Sequence, residues 1–547
     1  MESPHGQRAP AYRPAALGTR GMVCSGHYHA SLAGIRVLLT GGNAIDAAIA
    51  TAAALGIVEP HMSGAGGDGF LMIHDAATGT TRCVLAAGAA PSGARRERFL
   101  ATGIPSKGIR SVSVPGLVAG WLLAHRSYGR LPLEQVFAPA IELAEEGFPI
   151  SPKLAAALAA EAEAGSPLFT HPPSRAIFYP HGRPPQAGEV VRNPDLARTL
   201  AAIAREGEAW FYRGPMADAL LALSDAMGGL FTPADLATHA ARFAEPIRTT
   251  YRGLEILESP PPTSGHVLLQ ELNLVERFDL RALGFQSAAA LHVMIEAKKL
   301  AFADRERYLA DPACTDVPVD WLISKEYAAE RARLIDPDRA MPPPAAGVRE
   351  SSEETTCFCV ADRWGNAVCA LQSLQSAFGS GLVVEGTGVL LNNRMTYWHL
   401  EADHPDVLAP GKVVRHTMNT VMGFEGGELV LVCGTPGADI QVQTNLQMIT
   451  HLVDFGLGAQ EAVEAARWRH TGDGTESEYP HRCADEVLLE ARFSQETEEG
   501  LARRGHVVRR IGAWAAAGSE QLVRRHPITG TWEGGSDPRR DGYALAW

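Results

Sequence analysis

The sequence has no stretch of apolar residues approaching the roughly 20 that a membrane-spanning helix needs. Basic residues are outnumbered, with 49 Lys and Arg against 62 Asp and Glu, which gives a net charge of −13. This balance argues against a nucleic-acid partner or an anionic membrane surface, because both select basic faces. The first residues also lack the basic and apolar regions of a secretory signal, so a cytoplasmic location is expected. With 46% hydrophobic residues, the chain can still bury a sizeable core.

Several familiar site patterns are missing as well. The eight cysteines are scattered without a CxxC pair, which predicts reduced thiols in the core and no disulfide framework. Cys24, His27 and His29 lack a fourth ligand at a familiar spacing, so neither a metal nor another cofactor is predicted. The segment 64–69 matches GxGxxG, but a helix is predicted before it and a strand after it, the reverse of a dinucleotide site. A structural turn that lines a cleft is the favoured interpretation.

Hydrophobic periodicity divides the chain into a mainly helical part and a later strand-rich part. Residues 31–55 predict two helices, the second one buried, and residues 70–85 predict a β-hairpin. Residues 115–300 read as mainly helical, around a proline-rich loop at 259–265. This order of elements indicates an α+β fold with mostly antiparallel strands. The individual helices are predicted at 133–146, 194–205, 215–227, 288–309 and 442–455, and the later strands at 356–361, 367–373, 388–391, 421–424, 429–433 and 486–489.

A proline-rich, acidic stretch, about 336–354, leads into the first of these later strands. One interpretation is a flexible linker followed by threonines that merely begin a strand, a position that suits β-branched residues. The other is self-cleavage between Glu354 and Thr355. The new terminus would then carry a hydroxyl nucleophile and, on the same residue, an α-amine able to act as its base.

Nine blocks of the sequence together resemble the γ-glutamyltransferase family of N-terminal-nucleophile hydrolases. The resemblance implies a four-layer αββα sandwich made from one precursor, with no cofactor. It implies cleavage into a large segment, 1–354, and a small segment, 355–547, which remain together in one fused core; it leaves the oligomeric state open. The blocks lie at 41–48, 59–70, 114–120, 260–265, 301–305, 355–368, 379–381, 390–393 and 434–437.

The resemblance also implies roles for particular residues. Thr355 corresponds to the nucleophile that forms an acyl-enzyme, and Ser373 to a hydroxyl residue that hydrogen-bonds it. Gly437 and Ala438 correspond to two backbone N–H donors for the oxyanion. Alanine in place of the family's second glycine keeps the N–H group, so the chemistry is expected to survive.

The residues that correspond to the family's substrate pocket differ more. The arginine that grips the γ-glutamyl carboxylate is missing before Ala90, and the carboxylate that binds its ammonium group is missing after Asn393. Arg394 and Tyr397 lie there instead, and neither can pair with an ammonium group. Arg394 and Arg415 are therefore candidates to bind an acyl group that is anionic but lacks the amine, such as a glutaryl group; an ion-paired arginine is the alternative for Arg394. The other substrate-binding candidates are Gln375, in place of an asparagine, and His416 and Thr417, in place of a serine pair.

Three functions remain open on the sequence. The first is a self-processing threonine amidohydrolase that resembles glutathione hydrolase and passes a γ-glutamyl or related acyl group mainly to water. The second is an acylase of the same family without γ-glutamyl preference. The third is a binding protein that kept the fold without the catalysis.

Overall fold

The computed structural model describes residues 11–342, 354–472, 484–526 and 528–547. Within these ranges the helices are α1 Tyr28–Leu39, α2 Ala44–Val58, α3 Leu117–Tyr128, α4 Leu133–Glu146, α5 Pro152–Glu163, α6 Pro167–Thr170, α7 Pro172–Phe178, α8 Pro194–Glu206, α9 Glu208–Tyr212, α10 Pro215–Met227, α11 Pro233–Ala237, α12 Gly265–Val275, α13 Leu280–Leu283, α14 Ala288–Tyr308, α15 Val319–Leu322, α16 Lys325–Arg331, α17 Ile440–Val453, α18 Ala459–Glu464 and α19 Gln495–Arg503. Short 3₁₀ turns lie at Arg96–Arg98, Ile109–Ser111, Ala332–Leu334 and Arg394–Tyr397.

The strands of the same residues are β1 Ala16–Gly18, β2 Gly21–Ser25, β3 Asp68–Asp75, β4 Thr80–Ala86, β5 Phe148–Pro149, β6 Val190–Val191, β7 Arg242–Ala244, β8 Ile247–Tyr251, β9 Leu254–Glu258, β10 Glu354–Asp362, β11 Ala367–Gln375, β12 Val383–Val384, β13 Val389–Leu390, β14 Val421–Glu425, β15 Glu428–Gly434, β16 Trp468–His470, β17 Glu486–Glu490, β18 Val507–Ile511, β19 Gln521–Arg525, β20 Trp532–Ser536 and β21 Tyr543–Ala546.

Fourteen strands form two seven-stranded antiparallel sheets that pack face to face. Sheet I has the order β1-β20-β19-β15-β14-β9-β8, and sheet II has the order β21-β2-β10-β11-β3-β4-β7. Successive side chains of a strand point to opposite faces, so each strand supplies two layers of core. In β10, Cys357 and Cys359 enter the core between the sheets, whereas Phe358 and Val360 enter the core beneath the helices.

Helices cover the outer face of each sheet. The helices α1–α3 pack on sheet II, with α4 against α1 and α2, and α12, α17 and α18 pack on sheet I, with α14 against α12. Helix α2 begins with a capping box in which the Asn43 side chain accepts the Asp46 N–H and the Asp46 side chain accepts the Asn43 N–H. All of its residues except Gly56 are buried, as the sequence predicts. The four layers confirm the α+β class and the αββα sandwich.

The strands before and after residue 354 alternate within both sheets. In sheet II, β2 lies between β21 and β10, and β11 lies beside β3. In sheet I, the block β20-β19-β15-β14 lies between β1 and β9. Five strand pairings therefore join the segment before residue 354 to the segment after it.

Most of the predicted elements are present, but one prediction was wrong. The residues 242–258 form three short strands, β7, β8 and β9, in a part of the chain that we expected to be mainly helical. No helix among the described residues combines the length and apolar character that crossing a bilayer requires. Most of the predicted linker, 343–353, lies outside the described residues.

Candidate active site

Thr355 lies at a bulge where β10 begins. Glu354 pairs with Gln375 and Thr356 pairs with Gln372, so the register shifts at Thr355. Such a bulge redirects a side chain away from the regular alternation of the strand. The Thr355 side chain is buried, and its Oγ1 donates to the Ser373 Oγ at 3.2 Å. The structure thus brings the predicted nucleophile and its predicted hydroxyl partner into direct contact.

Two further groups hold this contact in place. The Ser373 Oγ also accepts the Gln375 N–H at 2.8 Å, and Gln375 has a φ of +90°, which is strained for a residue with a side chain. The Arg540 Nη1 donates to the Thr355 carbonyl oxygen at 2.8 Å. Both the hydroxyl and the backbone of Thr355 are therefore positioned by hydrogen bonds before any substrate arrives.

Gly437 and Ala438 form the turn between the end of β15 and the start of α17. Their φ values are +119° and +46°, so both residues have left-handed backbone conformations. The N–H groups that precede a helix lie at the positive end of its dipole, a favourable place for a developing oxyanion. Asp439 ends the turn and forms a buried ion pair with Arg305 of α14. A Cβ on Gly434 would lie 2.8 Å from the Cys357 Sγ, so the strand leading into this turn closely approaches β10.

Arg394 is linked to Ser373 through a buried aspartate. Its Nε donates to the Asp68 Oδ2 at 3.1 Å, and Asp68 lies opposite Ser373 in the register of β3 and β11. The Arg394 guanidinium also lies 5.0 Å from the Tyr397 ring centroid. The Arg394 Nη2 is buried and, among the described residues, has no hydrogen-bond partner. Arg394 is thus ion-paired on one side and keeps one donor group unused on the other.

The charge on Asp68 is set by opposing effects. Burial raises the pKa of Asp68, whereas Arg394 and the Gly88 N–H, which donates to Oδ1 at 3.0 Å, lower it. Burial and then Arg394 hold the pKa of His416 well below its usual range, so this imidazole is neutral at physiological pH. Its ring packs edge-on against Phe70 at 4.9 Å, and neither ring nitrogen has a partner among the described residues. His416 can therefore donate one hydrogen bond to a ligand and accept another, but its ring carries no charge.

The other predicted substrate-binding residues are also buried. The Gln375 Oε1 has no hydrogen-bond partner within the described part of the chain, and Thr417 uses its carbonyl oxygen to accept from Asn419 at 3.0 Å. Arg415 pairs with Glu306 at 3.0 Å, and Glu306 also pairs with Arg305, the residue of α14 that pairs with Asp439. Arg415 therefore belongs to the ion-pair network that supports Asp439, whereas Arg394 faces Asp68.

Two cavities flank these residues. One, of about 300 Å³, is lined by Phe70, Leu85 and Ala87–Ala90, the segment where the family's arginine is missing. The other, of about 390 Å³, is lined by Glu59, Met62, Arg540 and Gly518. Arg540, which contacts the Thr355 carbonyl, and Gly518, which packs against Thr435 and Pro436, both line this second cavity, so it lies near Thr355 and near the segment that leads into the turn at 437–438.

Sequence reasoning missed three of the residues that shape the site. Asp68, Glu59 and Arg540 received no role, although Glu59 and Asp68 lie within a recognised block. The Glu59 Oε2 accepts the Thr356 hydroxyl at 2.8 Å, next to the nucleophile. The only sequence signal was for Asp68, an acidic residue that lies between the glycines at 66–69. Those glycines allow close backbone approach, since a Cβ on Gly67 would lie 2.3 Å from the Ser373 carbonyl oxygen.

The cysteine and histidines at 24–29 have separate contacts. The Cys24 thiol donates to the Leu522 carbonyl oxygen at 3.4 Å, and the His27 Nδ1 accepts the His29 N–H at 3.2 Å.

Comparison with known proteins finds relatives over nearly the whole chain. The chain is 35% identical to the glutathione hydrolase-like YwrD proenzyme of Bacillus subtilis (strain 168), over 97% of this chain and 99% of that protein. It is 38% identical to the acylase ACY 1 proenzyme of Pseudomonas sp. (strain SE83), over 97% and 94% of the two chains. The crystal structure of cephalosporin acylase from Bacillus halodurans superposes with a TM-score of 0.90, at 36% identity, and covers 100% of this chain and 99% of that one. The family model for gamma-glutamyltranspeptidase matches residues 30–547, so the chain belongs to the γ-glutamyltranspeptidase family of N-terminal-nucleophile hydrolases.

Proposed function

We propose that this member of the family is a self-processing amidohydrolase whose nucleophile is Thr355. The observation that carries this proposal is the contact of the Thr355 hydroxyl with Ser373 at a bulge of β10, in a molecule where Gly437 and Ala438 form a turn with positive φ ahead of α17. An N-terminal nucleophile needs a hydroxyl, an amine on the same residue and donors for an oxyanion. Cleavage before Thr355 would supply the amine.

Processing would begin when the Thr355 Oγ1 attacks the carbonyl carbon of Glu354. The bond from that carbon to the Thr355 nitrogen breaks, the nitrogen gains a proton, and an ester joins residue 354 to the threonine oxygen. Water then hydrolyses the ester, which leaves a carboxylate on Glu354 and an amine on Thr355. The hydrogen bond from Arg540 to the Thr355 carbonyl fixes the backbone on the far side of the scissile bond.

Turnover uses the same oxygen on a substrate amide. The Thr355 amine takes the hydroxyl proton during attack and returns it to the departing amine. The N–H groups of Gly437 and Ala438 stabilise the oxyanion, and water releases the acyl group from Thr355. Water is the proposed acceptor.

For the acyl group, we propose an anionic chain without an α-amine, as in a glutaryl amide. A γ-glutamyl group carries an ammonium that needs a carboxylate, and Asp68, the carboxylate beside Arg394, is already engaged by that arginine. The unused Nη2 of Arg394 is a charge-assisted donor for the acyl carboxylate. Relatives named as acylases support this branch, and the glutathione hydrolase-like relative represents the alternative.

The test compares wild type with Thr355→Ala and, as a matched control, Thr355→Ser. We expect wild type and Thr355→Ser to give two bands on denaturing electrophoresis, with a new N-terminus at residue 355, whereas Thr355→Ala stays intact and inactive. The processed enzyme should hydrolyse glutaryl p-nitroanilide faster than γ-glutamyl p-nitroanilide. Cleavage or turnover by Thr355→Ala would refute the nucleophile, and an intact, inactive wild type would favour a binding protein. Preference for the γ-glutamyl compound would refute only the acyl assignment.

A further inference from the structure

A second cluster, of two histidines and a glutamate, lies where α14 meets the residue that precedes β18. It consists of His292 and Glu296, four residues apart on one face of α14, and His506. All three are buried, and one ligand atom from each lies within 4.8 Å of the other two. We propose that these residues form a binding site for a divalent transition-metal cation of the Zn²⁺ type, with two imidazoles, one carboxylate and a fourth position for water.

The hydrogen bonds of His292 orient it as metal-ligating histidines are usually oriented. Its Nε2 lies 2.7 Å from the Asp336 carbonyl oxygen, which can only accept, so Nε2 carries the proton. The other nitrogen, Nδ1, then presents a lone pair towards the site, and a backbone carbonyl is a common partner for the outer nitrogen of such a ligand. The Nδ1 accepts from the His506 Nε2 at 2.8 Å. A cation would replace that hydrogen bond, with the His506 proton moving from Nε2 to Nδ1, so that both imidazoles bind as neutral rings.

The distances are close to those that a tetrahedral ion requires. Two nitrogens bound to Zn²⁺ at about 2.0–2.1 Å lie roughly 3.3 Å apart, so the two imidazoles need to separate by about half an ångström. The Glu296 Oε1 lies 4.0 Å from the His506 Nε2 and needs to approach by a similar amount. Both adjustments are within the reach of side-chain rotation without a change in α14.

The positive charge of Lys299, which pairs with Glu296, opposes the binding of a cation at this site. The Lys299 ammonium lies 2.9 Å from the Glu296 Oε1 and takes the place that the ion would occupy on that oxygen. A bound cation must displace this ammonium and then repel it. Replacing Lys299 with methionine should therefore tighten metal binding, an effect that a purely structural cluster would not produce.

The site also holds the end of the large segment. The Glu296 Oε2 accepts the Met341 N–H at 2.8 Å, and His292 donates to Asp336. Two of the three ligands thus already bind the segment 336–341, from which the chain continues towards Thr355. An ion at this site would tie that segment to α14 more firmly, in the precursor and after cleavage.

The experiment titrates the chelator-treated full-length protein with CoCl₂ and follows the visible ligand-field bands of tetrahedral Co²⁺. We expect bands that saturate at one equivalent and disappear when ZnCl₂ is added, and that are lost in His506→Gln and Glu296→Gln. Lys299→Met should bind Co²⁺ at least about tenfold more tightly. His74→Gln, a buried histidine in the core facing Phe424, is the matched control and should bind as wild type.

Absence of tetrahedral Co²⁺ bands in both wild type and Lys299→Met would overturn the proposal, as would bands that survive in Glu296→Gln. If a ligand variant fails to fold, as judged by circular dichroism, the comparison of wild type with Lys299→Met still decides the question. The readout is the metal spectrum, so the result is independent of whether Thr355 proves to be the nucleophile.

Discussion

Mutation of Arg394 and Asp68 can separate the effect of this pair on protein stability from its effect on recognition of the acyl group. Arg394→Met would leave Asp68 buried without its cation, and removing one partner of a buried pair costs about 3–5 kcal/mol of unfolding free energy. Adding Asp68→Asn removes the orphaned charge and keeps an oxygen for the Gly88 N–H, so most of that loss should be regained. Urea unfolding of wild type, Arg394→Met, Asp68→Asn and the double variant then gives the coupling energy of the pair as a double-mutant cycle.

Catalysis should not be regained with stability. Loss of one hydrogen bond from a charged donor to the acyl carboxylate costs about 1.5–3 kcal/mol, which corresponds to roughly a 10- to 150-fold fall in kcat/KM. We expect this fall for glutaryl p-nitroanilide in the double variant and little change for the uncharged butyryl compound. A stable double variant that still prefers the glutaryl substrate to the same degree as wild type would refute the assignment of Arg394 to acyl binding.

Two further changes test the turn at 437–438 and the buried carboxylate of α12. Alanine at a φ of +46° is strained and glycine is not, so Ala438→Gly should raise the free energy of unfolding by about 0.5–1 kcal/mol. The backbone N–H is kept, so kcat should not change. A large fall in kcat would contradict a role for residue 438 through its backbone alone. Burial raises the pKa of Glu271 from 4.5 to about 8, although the charges of Lys298 and Arg305 act to lower it. The contribution of Glu271 to stability is therefore complete below pH 4.5 and is lost as the pH rises through 8. Urea midpoints of Glu271→Gln should therefore fall less than those of wild type between about pH 5 and pH 8.5, and parallel curves would contradict this.

The elements that the sequence predicts best are those whose pattern is local. The helices α4 and α10 have the predicted bounds, and α2, buried on every side, was evident from its unbroken apolar run. The strands β7–β9 were missed because they are three to five residues long, and only β8 alternates exposed polar residues with buried ones. Their place in the sheets is set by pairing with β4 and β14, and a local window contains no information about those partners.

The residues of the candidate site also differ in how far the local sequence predicts them. Thr355 and Gly437 could be proposed as site residues because each lies in a recognised block, and Ala438 because it follows the last block directly. The pairing of Asp68 with Arg394 joins residues 326 positions apart and depends on the register of β3 against β11. Nothing local to either residue indicates the contact. The sequence therefore predicts which headgroup contacts are absent, a prediction that stays open, but it could not show that Asp68 engages Arg394.

The alternation of strands from the two segments has a consequence for how this protein can be made. Because five strand pairings cross between them, neither segment can complete its sheets alone, so folding must precede the cut. After the cut, unfolding becomes dissociation into two chains, and recovery becomes an encounter between two molecules whose rate falls with dilution. The peptide bond before Thr355 therefore acts as a folding tether, and the proposed self-cleavage discards it once the assembly no longer needs it.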